Sequence, residues 1–274
     1  MNAVKTFFTA CLLFMFCLQT AHATNKQEQI NQILQETGFD KLLKHIPDLA
    51  QRVLKQSSGA LEPQMNSALS AAFNQAFATT SVQRDVINII NAHYDESLAS
   101  AYLNQSQSPL AVKMAKLERN TNTPLGQKEL NTFKANLQEN PAPKSRNNLI
   151  QQLDKANRTT DFRVDMQTAF FKAVFVAIAP VMEADMRLGD GELDKMVTEV
   201  RDSLEESLRP NTHLFYMYAF RDVSDEELKN YINLCESKEH RWAIQLLGNA
   251  MISALNQAAD RAAMMMIKAS RELR

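Results

Sequence analysis

The sequence predicts an all-α protein. Only 6 glycines stand in 274 residues, and stretches of β-branched residues alternating at period two are scarce. Apolar residues recur instead at i, i+3, i+4 and i+7, the spacing of one buried helical face. Several of these stripes open on a capping residue, as in Ser224-Asp225-Glu226-Glu227-Leu228. The expected architecture is two tandem helical-bundle units of about six helices each, related by internal duplication. The first unit would span 24–139 and the second 145–274, joined by a Pro-rich linker at 140–144.

The chain opens with a secretory signal peptide, Met1–Ala23. Lys5 supplies the positive n-region and Phe7–Leu18 the apolar run, which is too short to span a membrane. Ala21-His22-Ala23 is a small-x-small site, so cleavage is expected after Ala23. Cys17 follows Phe14-Met15-Phe16, too bulky for lipoprotein processing, so a soluble, exported, periplasmic chain is expected.

Helical patterns then follow one another. Ile30, Ile33 and Leu34 lead to Gly38, a C-terminal glycine. Phe39, Leu42, Leu43 and Ile46 start a second helix, which Pro47 should kink or break, and Gly59 ends the segment after it. Met65, Leu69, Ala72, Phe73, Ala76 and Phe77 make a third stripe; Val82, Val86, Ile89, Ile90 and His93 make a fourth. Ser108-Pro109 and Thr123-Pro124 each place a cap before a proline at the first helical position, giving a helix-break-helix at Ser108–Leu137. Asn140-Pro141-Ala142-Pro143-Lys144 cannot continue a helix.

In the second half, Ser145 should cap a helix carrying Leu149, Ile150 and Leu153. Phe162–Leu188 reads as a long apolar helix interrupted by Pro180, and Glu192–Leu208 as one stopped by Pro210. Leu214, Phe215, Met217, Tyr218 and Phe220 suggest a short aromatic helix. The last helix-break-helix runs from Ser224 to Leu255 and breaks at Glu236-Ser237-Lys238. Here Ser224 and Glu227 form a capping box, and Val223 and Leu228 a hydrophobic staple. Leu228, Tyr231, Ile232 and Leu247 are the expected structural anchors of this element. Ala250, Ala254 and Ala258 leave room for a close helix neighbour. Two short similarities recur in order: Gln32-Ile33-Leu34-Gln35 with Gln151-Gln152-Leu153-Asp154, and Tyr94–Leu98 with Leu204–Leu208. They are the basis for the duplication.

The repeated unit resembles the bacterial family catalogued as domain of unknown function 2059. Its recognisable core is a Ser-x-Glu-Glu-Leu helix start, an aromatic-rich helix and a Ser-Pro-x-Gly-Gln-Lys turn. Ser224, Glu226, Glu227 and Leu228 match the start, while Glu236-Ser237-Lys238-Glu239-His240 has lost the proline and glycine of the turn. In the first half, Thr123-Pro124-Leu125-Gly126-Gln127-Lys128 keeps the turn but the acidic start is missing. The resemblance implies an exported helical protein of a Gram-negative periplasm. It implies no activity.

Composition and motifs narrow the function. A formal net charge of -1 gives no electrostatic case for nucleic acid, and no Lys/Arg run suits an anionic membrane surface. Cys235 is the one cysteine beyond the signal peptide, so no internal disulfide forms; it ends an apolar stripe and reads as a small buried residue. HExxH, GxSxG, P-loop, CxxC and SxxK patterns are absent. His45, His93, His213 and His240 never fall three or four residues apart, so no metal site and no cofactor are expected. Asp190-Gly191-Glu192 reads as a cap and turn rather than a calcium loop. The pairs Asp95-Glu96 and Glu205-Glu206 read as solvated faces rather than catalytic carboxylates. Met251 and the run Met264-Met265-Met266 are the candidate binding residues: an adaptable apolar surface, or else bundle core and an oligomer face. The sequence favours a non-enzymatic protein acting through contacts with a protein partner or its own copies, with no membrane span in the mature chain. A binding module for an apolar ligand or unfolded client is the alternative, and an enzyme the third.

Overall fold

The computed structural model describes residues 25–57, 63–179, 182, 189 and 191–272. The signal peptide, Gly59, Pro180 and Asp190 therefore lie outside the described residues. Within them the chain is all-helical, with no strand. Residues 25–36 form α1, followed by α2 (Phe39–Ser57), α3 (Pro63–Ala76), α4 (Thr79–Ala92), α5 (Glu96–Ser106), α6 (Pro109–Thr121) and α7 (Pro124–Glu139). After the break come α8 (Lys144–Asn157), α9 (Thr159–Ile178), α10 (Glu192–Ala219), α11 (Asp225–Cys235) and α12 (Lys238–Glu272).

Local chemistry sets most of the boundaries. Gly38, at φ 75°, turns the chain between α1 and α2. Ser108, Thr123 and Ser224 each accept a hydrogen bond from the backbone N–H three residues on, at 3.3, 3.1 and 3.2 Å. Ser145 does not cap α8: that helix starts one residue earlier, after Pro143, which offers no side-chain cap. The expected stop at Pro210 is also corrected, and of the kink or break expected at Pro47 the break is not found. α2 runs through Pro47, and α10 runs through Pro210 for 28 residues without a separate aromatic helix. An interior proline costs about 3 kcal/mol, whereas each buried large apolar side chain returns roughly 1.5–3 kcal/mol. Leu43, Ile46, Ala50 and Leu54 keep one buried stripe across Pro47; Leu208, Tyr216, Met217 and Phe220 remain buried across Pro210.

Two buried clusters hold the helices together. The larger draws on α1 to α5 and on α9 and α12; the smaller on α6, α8, α10 and α11, with Phe133 and Leu137 of α7 against it. Packing thus does not divide at 140–144. Seven helices precede that break and five follow it among the described residues, so the duplication finds no confirmation in this arrangement. The 35-residue α12 explains the mixing. At 1.5 Å per residue it is about 52 Å long. Ala243, Ala250, Ala254, Ala258 and Ala262 are fully buried along it, and such small side chains let α9, α4 and α3 pack close. The last helix-break-helix therefore straddles the clusters. Leu228, Ile232 and Cys235 sit in the smaller one and Leu247 in the larger, while Tyr231 is only half-buried.

The turn between α6 and α7 shows why its residues stand together. Thr123 caps α7 and its hydroxyl donates to the Asn120 carbonyl at 2.7 Å; Gln127 donates back to the Thr121 carbonyl at 2.8 Å. A Cβ on Gly126 would lie 2.2 Å from the Asn120 carbonyl oxygen and 2.8 Å from that of Thr121. Neither backbone atom can swing away as a flexible side chain would. Gly126→Ala is accordingly expected to destabilise the fold by about 1–3 kcal/mol, despite alanine's better helix propensity. Chemical unfolding of the variant measures this, and an unchanged midpoint would show that the corner relaxes freely.

Candidate functional site

An open cleft of about 1060 Å³ lies among α8, α9 and α10. Its floor begins at the α8–α9 junction. Arg158, at φ 52°, is the only non-glycine residue with positive φ among those described, and it turns the chain left-handed between the helices. Asp154 then reaches forward: its carboxylate accepts from the Thr160 N–H at 2.8 Å and from the Thr160 hydroxyl at 2.6 Å, capping α9. Arg209 of α10 faces the same wall, 2.6 Å from Glu205, 3.5 Å from Asp154 and 3.9 Å from Asp161. Asp165 pairs with Arg201 at 2.5 Å and with Arg158 at 3.9 Å.

The cleft is acidic on balance. Asp154, Asp161, Asp202, Glu205 and Glu206 face Lys155 and Arg209, five carboxylates against two cations. Asp202 and Glu206, one helical turn apart and exposed, have no ion-pair partner among the described residues. His213 completes the lining, with Nε2 2.8 Å from Asn147 Oδ1. Burial pushes its pKa down, and nearby Asp154 opposes that only in part, so the imidazole is neutral near pH 7.

A second, smaller cavity of about 110 Å³ lies where the two clusters meet. Glu118 of α6 lines it, with Oε1 3.5 Å from the Tyr231 hydroxyl of α11. Desolvation pushes the Glu118 pKa up to about 7, although the Tyr231 hydrogen bond and Arg119 pull the other way. The cavity is tied to α12 through its first turn. Ser237 accepts from the His240 N–H at 3.2 Å and bonds Gln105 at 3.1 Å, and Gln105 donates to the Leu234 carbonyl at 2.8 Å. Burial lowers the His240 pKa to about 4, so the ring is neutral and its Nε2 donates to Asn157 Oδ1 at 2.9 Å. Burial raises the Cys235 thiol well above its ordinary range, leaving it protonated and unreactive.

The residues singled out in the sequence fall elsewhere or into structural roles. Met251 and Met266 are fully buried in the larger cluster and Met265 packs against it. Met264 alone of the four is exposed, at 68%. Of the two readings, bundle core fits Met251, Met265 and Met266, while the roughly 100° between consecutive helical residues turns Met264 outward. Asp95 caps α5 through the Leu98 N–H at 2.9 Å. Glu205 is engaged by Arg209, and Glu206 opens on the cleft. Among the described residues no group of His, Cys, Asp and Glu is arranged to hold a metal. Sequence reasoning missed Asp154 and Glu118. Both had a signal: Asp154 follows Ile150 by four residues and Glu118 follows Met114 by four, so each carboxylate stands on a buried apolar stripe.

In comparison with known proteins, the chain matches no family model, no curated protein and no solved structure.

Proposed function

We propose that this is a non-enzymatic protein that acts through protein contacts, holding a Lys/Arg-bearing segment of a partner in the cleft among α8, α9 and α10. The observation that carries this reading is the pair Asp202 and Glu206, without an ion-pair partner among the described residues, on the cleft wall beside carboxylates already occupied by Arg209. An open, wet, helix-walled cleft suits an extended segment better than a small substrate that must be desolvated. Export to the periplasm, as the likeness to the exported helical family implies, is supported by the charged n-region, apolar run and small-x-small site ending at Ala23. No helix among the described residues is long and apolar enough to cross a membrane.

Fluorescence anisotropy with labelled oligolysine and oligoglutamate peptides tests the reading. The mature chain is expected to bind oligolysine, more weakly as salt rises. Exposed charge contacts are worth up to about 1 kcal/mol each, so a D202K/E206K variant should lose roughly tenfold in affinity or more. Equal affinity for the two peptides, or an unchanged affinity in the variant, would overturn it.

A further inference from the structure

We propose that the Lys/Arg-bearing segment of the partner alternates its cations with large aliphatic residues, which it lays in an apolar groove along Met196, Val200 and Leu204 of α10. The groove adjoins the acidic cleft, so its use by that segment rests on the cleft holding one.

The first half of α10 is a partly covered helix. From 192 to 207 none of its residues is buried, and Leu208 is the first that is. Its apolar residues nevertheless keep helical spacing. Met196, Val200 and Leu204 fall at i, i+4 and i+8, a half-buried stripe about 12 Å long. α9 packs along α10, and Arg201, paired with Asp165, marks the side turned toward it. Away from that side an open groove of about 320 Å³ remains, lined by the three apolar residues with Glu199 and Ser203. Every lining residue belongs to α10, so the groove is an outer face and not a gap in the core. A partner's apolar side chain that displaces water from such a stripe gains free energy.

Charge identifies the occupant. At about 100° per residue, Glu199 and Glu206 stand beside the stripe on the edge opposite Arg201, with Asp202 turned further toward the cleft. They lie at i, i+3 and i+7, along one line of the helix. All three are exposed and have no ion-pair partner among the described residues. Lys195, one turn before Glu199, is the cation on this edge and pairs with none of them within 4 Å, leaving three carboxylates against one cation. Glu199 lines the groove while Asp202 and Glu206 line the cleft, so one acidic edge serves both. The same edge argues against a second copy of this chain, since two such helices would set carboxylate against carboxylate. A basic segment is the complementary partner. An extended chain turns successive side chains to opposite sides and repeats each side every 6.6 Å or so. The apolar stripe repeats every 6 Å or so along α10, as does the step from Asp202 to Glu206. A segment lying between the two lines can therefore direct its cations to one and its alternate apolar residues to the other.

Fluorescence anisotropy of the mature chain with labelled hexapeptides of alternating Lys and Leu, or alternating Lys and Ser, tests this, with alternating Glu and Leu as control. The Lys-Leu peptide is expected to bind about tenfold more tightly than the Lys-Ser peptide, or better, and the Glu-Leu peptide most weakly. M196S/V200S should remove the leucine advantage and leave Lys-Ser binding unchanged, which also reports that the variant is folded. Ser203→Leu, at an exposed position on the groove wall, should strengthen Lys-Leu binding and leave Lys-Ser binding as it was. Equal affinity for the Lys-Leu and Lys-Ser peptides, or a full leucine advantage in folded M196S/V200S, would overturn the groove and leave the reading of the cleft standing. Glu-Leu binding as tight as Lys-Leu would overturn the basic occupant. Binding of neither lysine peptide would overturn groove and cleft together.

Discussion

Arg261→Ala is expected to destabilise the protein by about 3–5 kcal/mol, the largest effect among the substitutions considered. Asp85 on α4 is buried, with its side chain 7% exposed, and Arg261 Nη1 of α12 stands 2.6 Å from its Oδ2. Arg261 Nη2 also donates to the carbonyl of Ala76, the last residue of α3's buried face, at 3.2 Å. One guanidinium thus fixes α12 against two helices of the larger cluster. The pair is not ideally aligned: among the described residues Asp85 Oδ2 takes no directed hydrogen bond and Arg261 Nε has no acceptor. Its net worth over an apolar pair is therefore small, but breaking it on one side is costly because the buried Asp85 carboxylate is left without its partner. Arg84 is 3.5 Å from Asp85 and 64% exposed, too solvated to take over. Urea unfolding of both single variants and of Asp85→Ala/Arg261→Ala separates the two quantities. The double variant should be more stable than Arg261→Ala alone. Additive losses would show that the two side chains act independently.

What was legible in the sequence was local. The caps at Ser108, Thr123 and Ser224 and the glycine at Gly38 depend on residues within one turn of each other, so short spacing reveals them. The same holds for the burial of Cys235, which the Leu228–Ile232 stripe carries inward. What was hidden was long-range. Nothing within a few residues of Pro210 announces that Tyr216, Met217 and Phe220 will be held by α8 and α11 strongly enough to carry the helix through it. The exchange of partners between the halves, with α9 and α12 completing the larger cluster, depends on contacts across more than a hundred residues. The candidate site suffers the same limit. Glu206 was noticed as half of an acidic pair, but the cleft around it exists only because Arg158 turns the chain and brings α8 against α10. Glu118 could be seen on an apolar stripe, whereas the cavity it faces is assembled from five helices.

Leu228→Ala is expected to cost about 2–5 kcal/mol, and Ser224→Ala about 0.5–2 kcal/mol. Leu228 is 0% exposed and packs in the smaller cluster with Ile232, Cys235 and the aromatic end of α10. Truncation removes the transfer energy of three carbons and leaves a void that rigid helices fill only in part. The Ser224 cap is worth less because one hydrogen bond is lost at an exposed end, where water replaces it. The expected capping box is only half made: Glu227 turns away from Ser224 and pairs with Lys113 of α6 at 2.6 Å. Asp225 is likewise held by Arg146 of α8 at 2.8 Å, and the same Arg146 donates to the Phe220 carbonyl at 2.5 Å. These clamps keep the first turn of α11 in place when the cap is cut, so Ser224→Ala should retain a cooperative transition. Leu228→Ala acts on what those clamps hold the helix against, and α11 should loosen first. Thermal unfolding ranks the two variants, and amide exchange across 225–235 locates the loss. A Leu228→Ala protein as stable as the parent would mean that α11 rests on its clamps and not on its buried stripe.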